Sequence, residues 1–199
     1  MSDDLRARVL QASVELVGEA GVAGLSLREV ARRAGVSHQA PYHHFADKEA
    51  IVAALVELGF SLMADRMEAA DGKGTVVQRL AKAGRVYVDF ALEQPVYFRL
   101  MFRPELVDLS AHPSAAAAGE RAMAILRGLI TERLQHHRPS PKKLEAMVSM
   151  HWSLVHGLAS LLLDGALGQS FASKAARQRH VEDVLETFAD AVDAAYPPR

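Results

Sequence analysis

Two serines, Ser26 and Ser37, each stand where a helix can start, and Gly35 lies just ahead of the second. The chain between them therefore has room for one helix of barely two turns. In "LSLREV" Ser26 is a capping residue and Glu29, three positions on, completes a capping box, while Leu25 and Val30 have the spacing of a hydrophobic staple. Ser37 is placed to cap a second helix, and Val36, between the two, faces inward. Alanines at 31 and 34 let the pair cross closely. Two short helices joined by a three-residue turn containing glycine make a helix-turn-helix unit.

The rest of the chain reads as helix too. No stretch alternates apolar and polar residues long enough for a strand, so the fold class is all-α, with about nine helices. The first, Asp3 to Ala20, carries Leu5, Val9, Ala12 and Leu16 on one stripe and stops at Gly21. The fourth runs from an Asp47 cap to about Ala70, with Ile51, Leu55, Leu58, Leu62 and Met63 inward. Further helices are expected near Thr75–Glu93, Pro95–Phe102, Ser114–His136, Pro141–Asp164 and Ser173–Ala195, with a polar loop over Arg103–Pro113. A boundary falls within Glu68–Gly74, giving domain 1–50, a connecting helix 47–70, and domain 71–199.

Composition removes several function classes. At 199 residues and 50% hydrophobic content the chain can bury a sizeable core. Cysteine is absent, which excludes disulfides, thiolate metal sites and cysteine nucleophiles. The start, "MSDDLRARVL", is acidic, and no uninterrupted apolar run approaches the roughly 18 residues of a bilayer span. The expected location is cytoplasmic, without a membrane partner. A formal net charge of −1 offers no global attraction to nucleic acid, so any such case is local.

The stretch "LSLREVARRAGVSHQAPYHHFADKEAIVAAL", with its capped "SLREVARRAGVS", the Tyr42, His44 and Phe45 of "YHHF" and the "DKEA" opening the next helix, resembles the DNA-binding domain of the TetR family of bacterial repressors. The resemblance covers roughly Leu5 to Met63; beyond it the likeness is one of helical architecture. It implies a three-helix DNA-binding domain followed by a helical domain for ligand binding and dimerisation. One departure is Pro41 inside the recognition helix, where an apolar residue such as Leu is more typical. As the fourth residue after Ser37 it forfeits about one backbone hydrogen bond, so a slight distortion is expected, not a break.

Roles follow for the candidate DNA-binding residues. His38 and Gln39 occupy the first turn of the recognition helix, where side chains reach base edges; Gln pairs bidentately with adenine, and His donates or accepts. By resemblance Arg28 reaches a guanine, Tyr42, His43, His44 and Lys48 meet phosphates, and Ser26 and Ser37 lie near phosphates at helix N-termini. From Ser26 to Lys48, Arg28, Arg32, Arg33 and Lys48 face Glu29 and Asp47, a local charge of +2. Arg32 and Arg33 read equally as phosphate contacts or as a solvated face. The three histidines do not suit a metal: His43 and His44 are adjacent and point apart, and His38 is five residues from His43. No metal and no cofactor is expected.

In the second domain "MVSMHWSLVHGLASLLLDGAL" is apolar around most of its circumference, and the last helix carries Val181, Val184, Leu185, Phe188 and Val192 on a stripe. The family pairs these two helices with their copies in a homodimer, which supplies the two-fold symmetry that reading two half-sites needs. "WSLVHG" resembles a motif of one TetR subgroup. Trp152 and His156, four apart, are either a core pair or ligand contacts. Candidate pocket walls are Tyr87, Phe90, Phe98, Met101, Phe102 and Met147 with those two, suited to a mainly apolar small molecule. His136, His137 and Arg138 read as solvated. The expected function is a ligand-responsive transcriptional regulator, a repressor that binds a palindromic double-stranded DNA operator and is released by an inducer. The alternative is a helical enzyme or binding module in which His151, His156 and nearby carboxylates supply chemistry, although no nucleophile–base spacing, phosphate loop or HExxH motif appears and no catalytic residue is assigned.

Overall fold

The protein, a computed structural model, is described over residues 2–197. Among these residues there are eight α-helices and no strand: α1 (Ser2–Ala20), α2 (Leu27–Ala34), α3 (Lys48–Ala70), α4 (Val76–Glu93), α5 (Pro95–Met101), α6 (Pro113–Leu134), α7 (Pro141–Leu163) and α8 (Lys174–Ala195). The ninth expected helix, the recognition segment, is instead a short 3₁₀ stretch, Ala40–His43.

The expected division ran in chain order, but the compact units do not. One comprises Met1–Phe60 with Val96–Gly119, the other Ser61–Pro95 with Glu120–Arg199. In the first unit α1 packs on α2, and both pack on the recognition segment. Of the expected stripes, Val9, Ala12 and Leu16 of α1 and Ile51 and Leu55 of α3 are buried, and Leu5 and Leu58 are half-buried; Leu25, Leu27 and Val30 around the α2 start and Val56 of α3 are buried with them. Leu62, in the part of α3 that belongs to the second unit, is 40% exposed, because the helix buries Met63, Ala64 and Met67 there instead. Caps fix the ends. The Glu29 N–H donates to Ser26 Oγ at 3.2 Å, and the Ala50 N–H to Asp47 Oδ1 at 2.8 Å. Gly35, with φ 66° and ψ 38°, closes α2 in the left-handed region where other residues are strained. The capping box is only half formed, since the Glu29 carboxylate turns to Arg32, at 2.6 and 2.9 Å.

In the second unit α4 packs against α7 and α8. Its start is a complete capping box of Thr75 and Gln78, and Ser140 and Ser173 cap α7 and α8. Ile130 and Leu134 of α6, Met147 and Val148 of α7 and Val192 of α8 form one apolar cluster, joined by Leu80 and Phe188. Arg133, buried beside it, is satisfied by Asp193 and by the Tyr196 carbonyl at 2.7 Å. His137 is not simply solvated: Nε2 lies 3.0 Å from the Pro197 carbonyl and its ring packs edge-on against Tyr196. By length and composition α7 passes the test for a membrane span, with a mean hydropathy of 1.4 over its most apolar window. That window is only 33% buried, and Met150 and Leu161 on the same helix are 48% and 47% exposed.

Candidate nucleic-acid interface

The recognition segment is built around Pro41. A proline has no N–H, so the bond that an α-helix would make back to the Ser37 carbonyl cannot form, and its ring disfavours the α region at Ala40. The backbone settles into three-residue turns: the Ala40 N–H donates to Ser37 O at 3.0 Å, Tyr42 to Gln39 O at 3.2 Å and His44 to Pro41 O at 3.0 Å. The expected slight distortion is thus larger, a change of helix type. Ser37 does not cap, because the stretch begins at Gln39 with no side-chain cap.

The same proline anchors the segment. Pro41 is buried and Phe45 is 3% exposed, with the Arg6 guanidinium 5.8 Å above the Phe45 ring, whereas Tyr42 is 47% exposed and Ser37, His38, Gln39 and His43 are exposed with it. His44 and Lys48 are half-buried; Ser26 and Arg28 are exposed. The His38 and Tyr42 rings lie 5.9 Å apart. Ser26, Arg28, Glu29, Arg32, Val36 and His38 line an open groove of about 390 Å³ beside the segment. Of the nine residues singled out for DNA contact, Ser26, Arg28 and His38 share this groove, Tyr42 meets His38, and His44 lines a separate recess.

Two of the four local arginine and lysine charges are tied elsewhere. Arg32 pairs with Glu29 at 2.6 Å, and Arg33 grips Glu19 of α1 at 2.6 and 2.7 Å. Those bonds hold the Glu29 and Glu19 carboxyls below the ordinary carboxylate range. Sequence reasoning missed Arg8, whose Nη2 donates to the Ala34 carbonyl at 2.5 Å and approaches that of Gly35 at 3.4 Å. A cation at a helix C-terminus satisfies unpaired carbonyls and opposes the dipole's negative end. Arg8 thus fixes the end of α2 and the turn that leads to His38, and no spacing in the sequence signals a partner on another helix.

The residues expected to wall a ligand pocket divide between the two units. Phe98, Met101 and Phe102 belong to the first, where Phe98 and Phe60 both set edges against the Phe102 ring, at 5.2 and 5.7 Å. Gly59 admits Met101 there: a Cβ at 59 would lie 2.8 Å from its sulfur. In the second unit Phe90 and Met147 are buried core, with Arg66 5.5 Å above the Phe90 ring. Tyr87, Trp152 and His156 form a polar triad. Trp152 Nε1–H donates to the Tyr87 hydroxyl at 3.3 Å, and that hydroxyl shares a hydrogen bond with His156 Nδ1 at 2.9 Å. Burial pushes the Tyr87 phenol up, partly opposed by the Trp152 bond, and pushes the His156 imidazole down. His151 is also held down by burial, against a 2.7 Å contact from Nδ1 to the Met147 carbonyl.

Comparison with known proteins agrees with this architecture. Residues 9–55 match the family model for bacterial regulatory proteins of the tetR family, and residues 80–188 match that for the Tetracyclin repressor-like C-terminal domain. A protein with unknown function from Rhodococcus sp. RHA1 is similar, with 29% identity and a TM-score of 0.76 over 94% of this chain and 92% of that one. A bacterial regulatory protein in the tetR family from Rhodococcus RHA1 shares the fold at 18% identity, with a TM-score of 0.72 over 92% and 95%. So does the transcriptional regulator FadR from Bacillus subtilis, solved in complex with stearoyl-CoA, at 18% identity and a TM-score of 0.73 over 91% and 96%. With a matched N-terminal segment containing the helix-turn-helix and a matched C-terminal domain covering more than half of its length, the chain belongs to the TetR family of ligand-responsive transcriptional regulators.

Proposed function

We propose that the protein is a cytoplasmic repressor that binds a palindromic DNA operator as a homodimer and leaves it when a small, mostly apolar inducer binds. One observation carries the DNA-binding reading. Over Ser37–His43 the polar side chains lie in solvent while Pro41 and Phe45 are buried, which presents hydrogen-bonding chemistry on a rigid mount. In this reading Gln39 and His38 read base edges, Arg28 reaches a guanine, and Ser26, Ser37, Tyr42, His43, His44 and Lys48 position the backbone. Residues 1–50 act as the DNA-binding domain, residues 71–199 bind ligand and dimerise, and α3 is the uninterrupted helix from one to the other.

The half-exposed, over-apolar α7, with Met150 and Leu161 in solvent, supports pairing with a second copy together with α8. The triad of Tyr87, Trp152 and His156 is the place we assign to the inducer's polar group; its members bond to one another, which favours binding over catalysis. Release requires the inducer to prefer the DNA-incompetent state, typically by about 1 to 3 kcal/mol, and DNA weakens inducer binding by the same factor. The test is a gel shift of duplex from the region upstream of the protein's own gene against an unrelated fragment, with sedimentation of the free protein. A retarded upstream fragment and a dimer are expected. Equal retardation of both fragments, or a monomer at micromolar concentration that DNA does not pair, overturns the reading.

A further inference from the structure

We propose that DNA binding by this protein is coupled to proton uptake, with His38, His43 and His44 acting as a pH-sensitive share of the positive charge on the recognition surface. The inference rests on the DNA-binding reading above and names a regulation of that same surface. It starts from what the ion pairs remove. With Arg32 tied to Glu29 and Arg33 to Glu19, Arg28 and Lys48 remain as the fixed cations from Ser26 to Lys48, beside the capping Asp47. Into that thin positive field the recognition segment places three histidines, two exposed and one half-buried. Histidine is the side chain whose ordinary charge change falls between pH 5 and 8, and phosphate contact favours its protonated form.

The surroundings of each imidazole decide its share. His38 lines the groove with Arg28, Arg32 and Glu29 of the α2 end and rests against the Tyr42 ring. His44 lines a second recess of about 190 Å³ together with Arg6 of α1, Glu57 of α3 and His112 ahead of α6. His112 itself lies 3.6 Å from Glu49. His43 is exposed on the same stretch, with Asp47 and Lys48 a turn further along the chain.

The size of the effect follows from linkage. For a reference imidazole of pKa about 6.5, a gain of about one unit on phosphate contact strengthens binding roughly sixfold between pH 8 and pH 6. Three such groups together give about two hundredfold, two about fortyfold. Each added cation on a phosphate also steepens the salt dependence by about 0.9 in log–log slope.

The experiment uses the full chain and a fluorescein-labelled 30-base-pair duplex of arbitrary sequence, with anisotropy titrations at pH 8, 7 and 6 and constant ionic strength. Circular dichroism at each pH confirms that the fold is intact. Affinity is expected to rise at least tenfold from pH 8 to pH 6, with a salt slope steeper by one to three units. The exposed pair His38→Gln and His43→Gln, combined, should remove most of that rise, read as the ratio of affinities at pH 6 and pH 8 within the variant whatever its affinity at pH 8; adding His44→Gln should flatten it further. Binding that is equal at pH 8 and pH 6, or a rise that survives undiminished in the folded double variant, overturns the proposal alone. No binding at any pH overturns the DNA-binding reading, and this one with it.

Discussion

Removing one oxygen atom at the centre of the second unit tests whether its polar triad is structural. Tyr87→Phe deletes the hydroxyl that accepts from Trp152 Nε1 at 3.3 Å and lies 2.9 Å from His156 Nδ1, leaving the buried ring in place. The shorter bond is of ordinary strength and is worth about 1 kcal/mol net; the other is at the long end of N–H to O distances and is worth about half of that. Trp152 and His156 are half-buried, so water can reach part of what the hydroxyl leaves, and the full penalty of a dry unpaired group does not apply. The expected loss is about 1.5 kcal/mol at pH 7.5, which in a chain of this size lowers the midpoint of thermal unfolding by roughly 3 to 6 °C. Urea unfolding followed by circular dichroism measures it, and the slope against urea should not change. A variant as stable as the parent, within about 0.3 kcal/mol, would refute the idea that the triad is a working internal network. A loss above about 4 kcal/mol would show that the ring packing, not the hydroxyl, had been disturbed.

Other outcomes follow from single features. Arg8→Met removes the cation at the end of α2 and should cost about 1 kcal/mol or less in stability yet weaken upstream-fragment binding more than arbitrary-duplex binding; equal loss for both fragments refutes a positioning role. Gln39→Ala should relax preference at one base position, whereas Lys48→Ala should weaken all sequences alike and reduce the salt slope by about one; a shared change in specificity contradicts that division. Acid should destabilise the fold. Burial holds His151 and His156 below their unfolded value near 6.5, so the unfolded chain binds protons first and stability, complete above that value, falls as pH drops through the window below it. Urea midpoints that do not change between pH 7.5 and pH 5.5 contradict this.

Local chemistry was legible wherever a signal and its partner lie within a turn of each other. Ser26, Gly35 and Asp47 mark the ends of α2 and the start of α3 as their side chains and backbone require. On the α8 stripe Val181, Leu185 and Val192 are buried and Val184 and Phe188 half-buried, as its period demands of a face that packs on the core. What the sequence concealed depends on competition or on distance. Glu29 could cap or pair, and Arg32, one turn on, won it from the Ser26 N–H. Counting from Ser37 made Pro41 harmless, but the ring acts on the residue before it as well as on its own missing donor, so the whole stretch changed helix type. Arg8 and Arg133 meet partners on other elements, and the grouping of Val96–Gly119 with the first unit depends on tertiary packing that no period encodes. At the candidate interface the directions in which side chains leave the backbone were not readable, because they depend on the helix type.

Those directions matter to anyone who wishes to retarget the protein. A 3₁₀ stretch turns about 120° per residue and an α-helix about 100°, so side chains on the two kinds of scaffold drift apart by roughly 20° at every step. An ideal 3₁₀ stretch brings residues three apart into register, whereas an α-helix offsets them by about 60°. Base-reading residues transplanted by sequence position from a regulator with an α-helical recognition element would therefore aim at neighbouring edges of the groove. Reprogramming this surface calls for libraries built on the proline-set backbone, and a swap that first replaces Pro41 would change the alphabet and the page together.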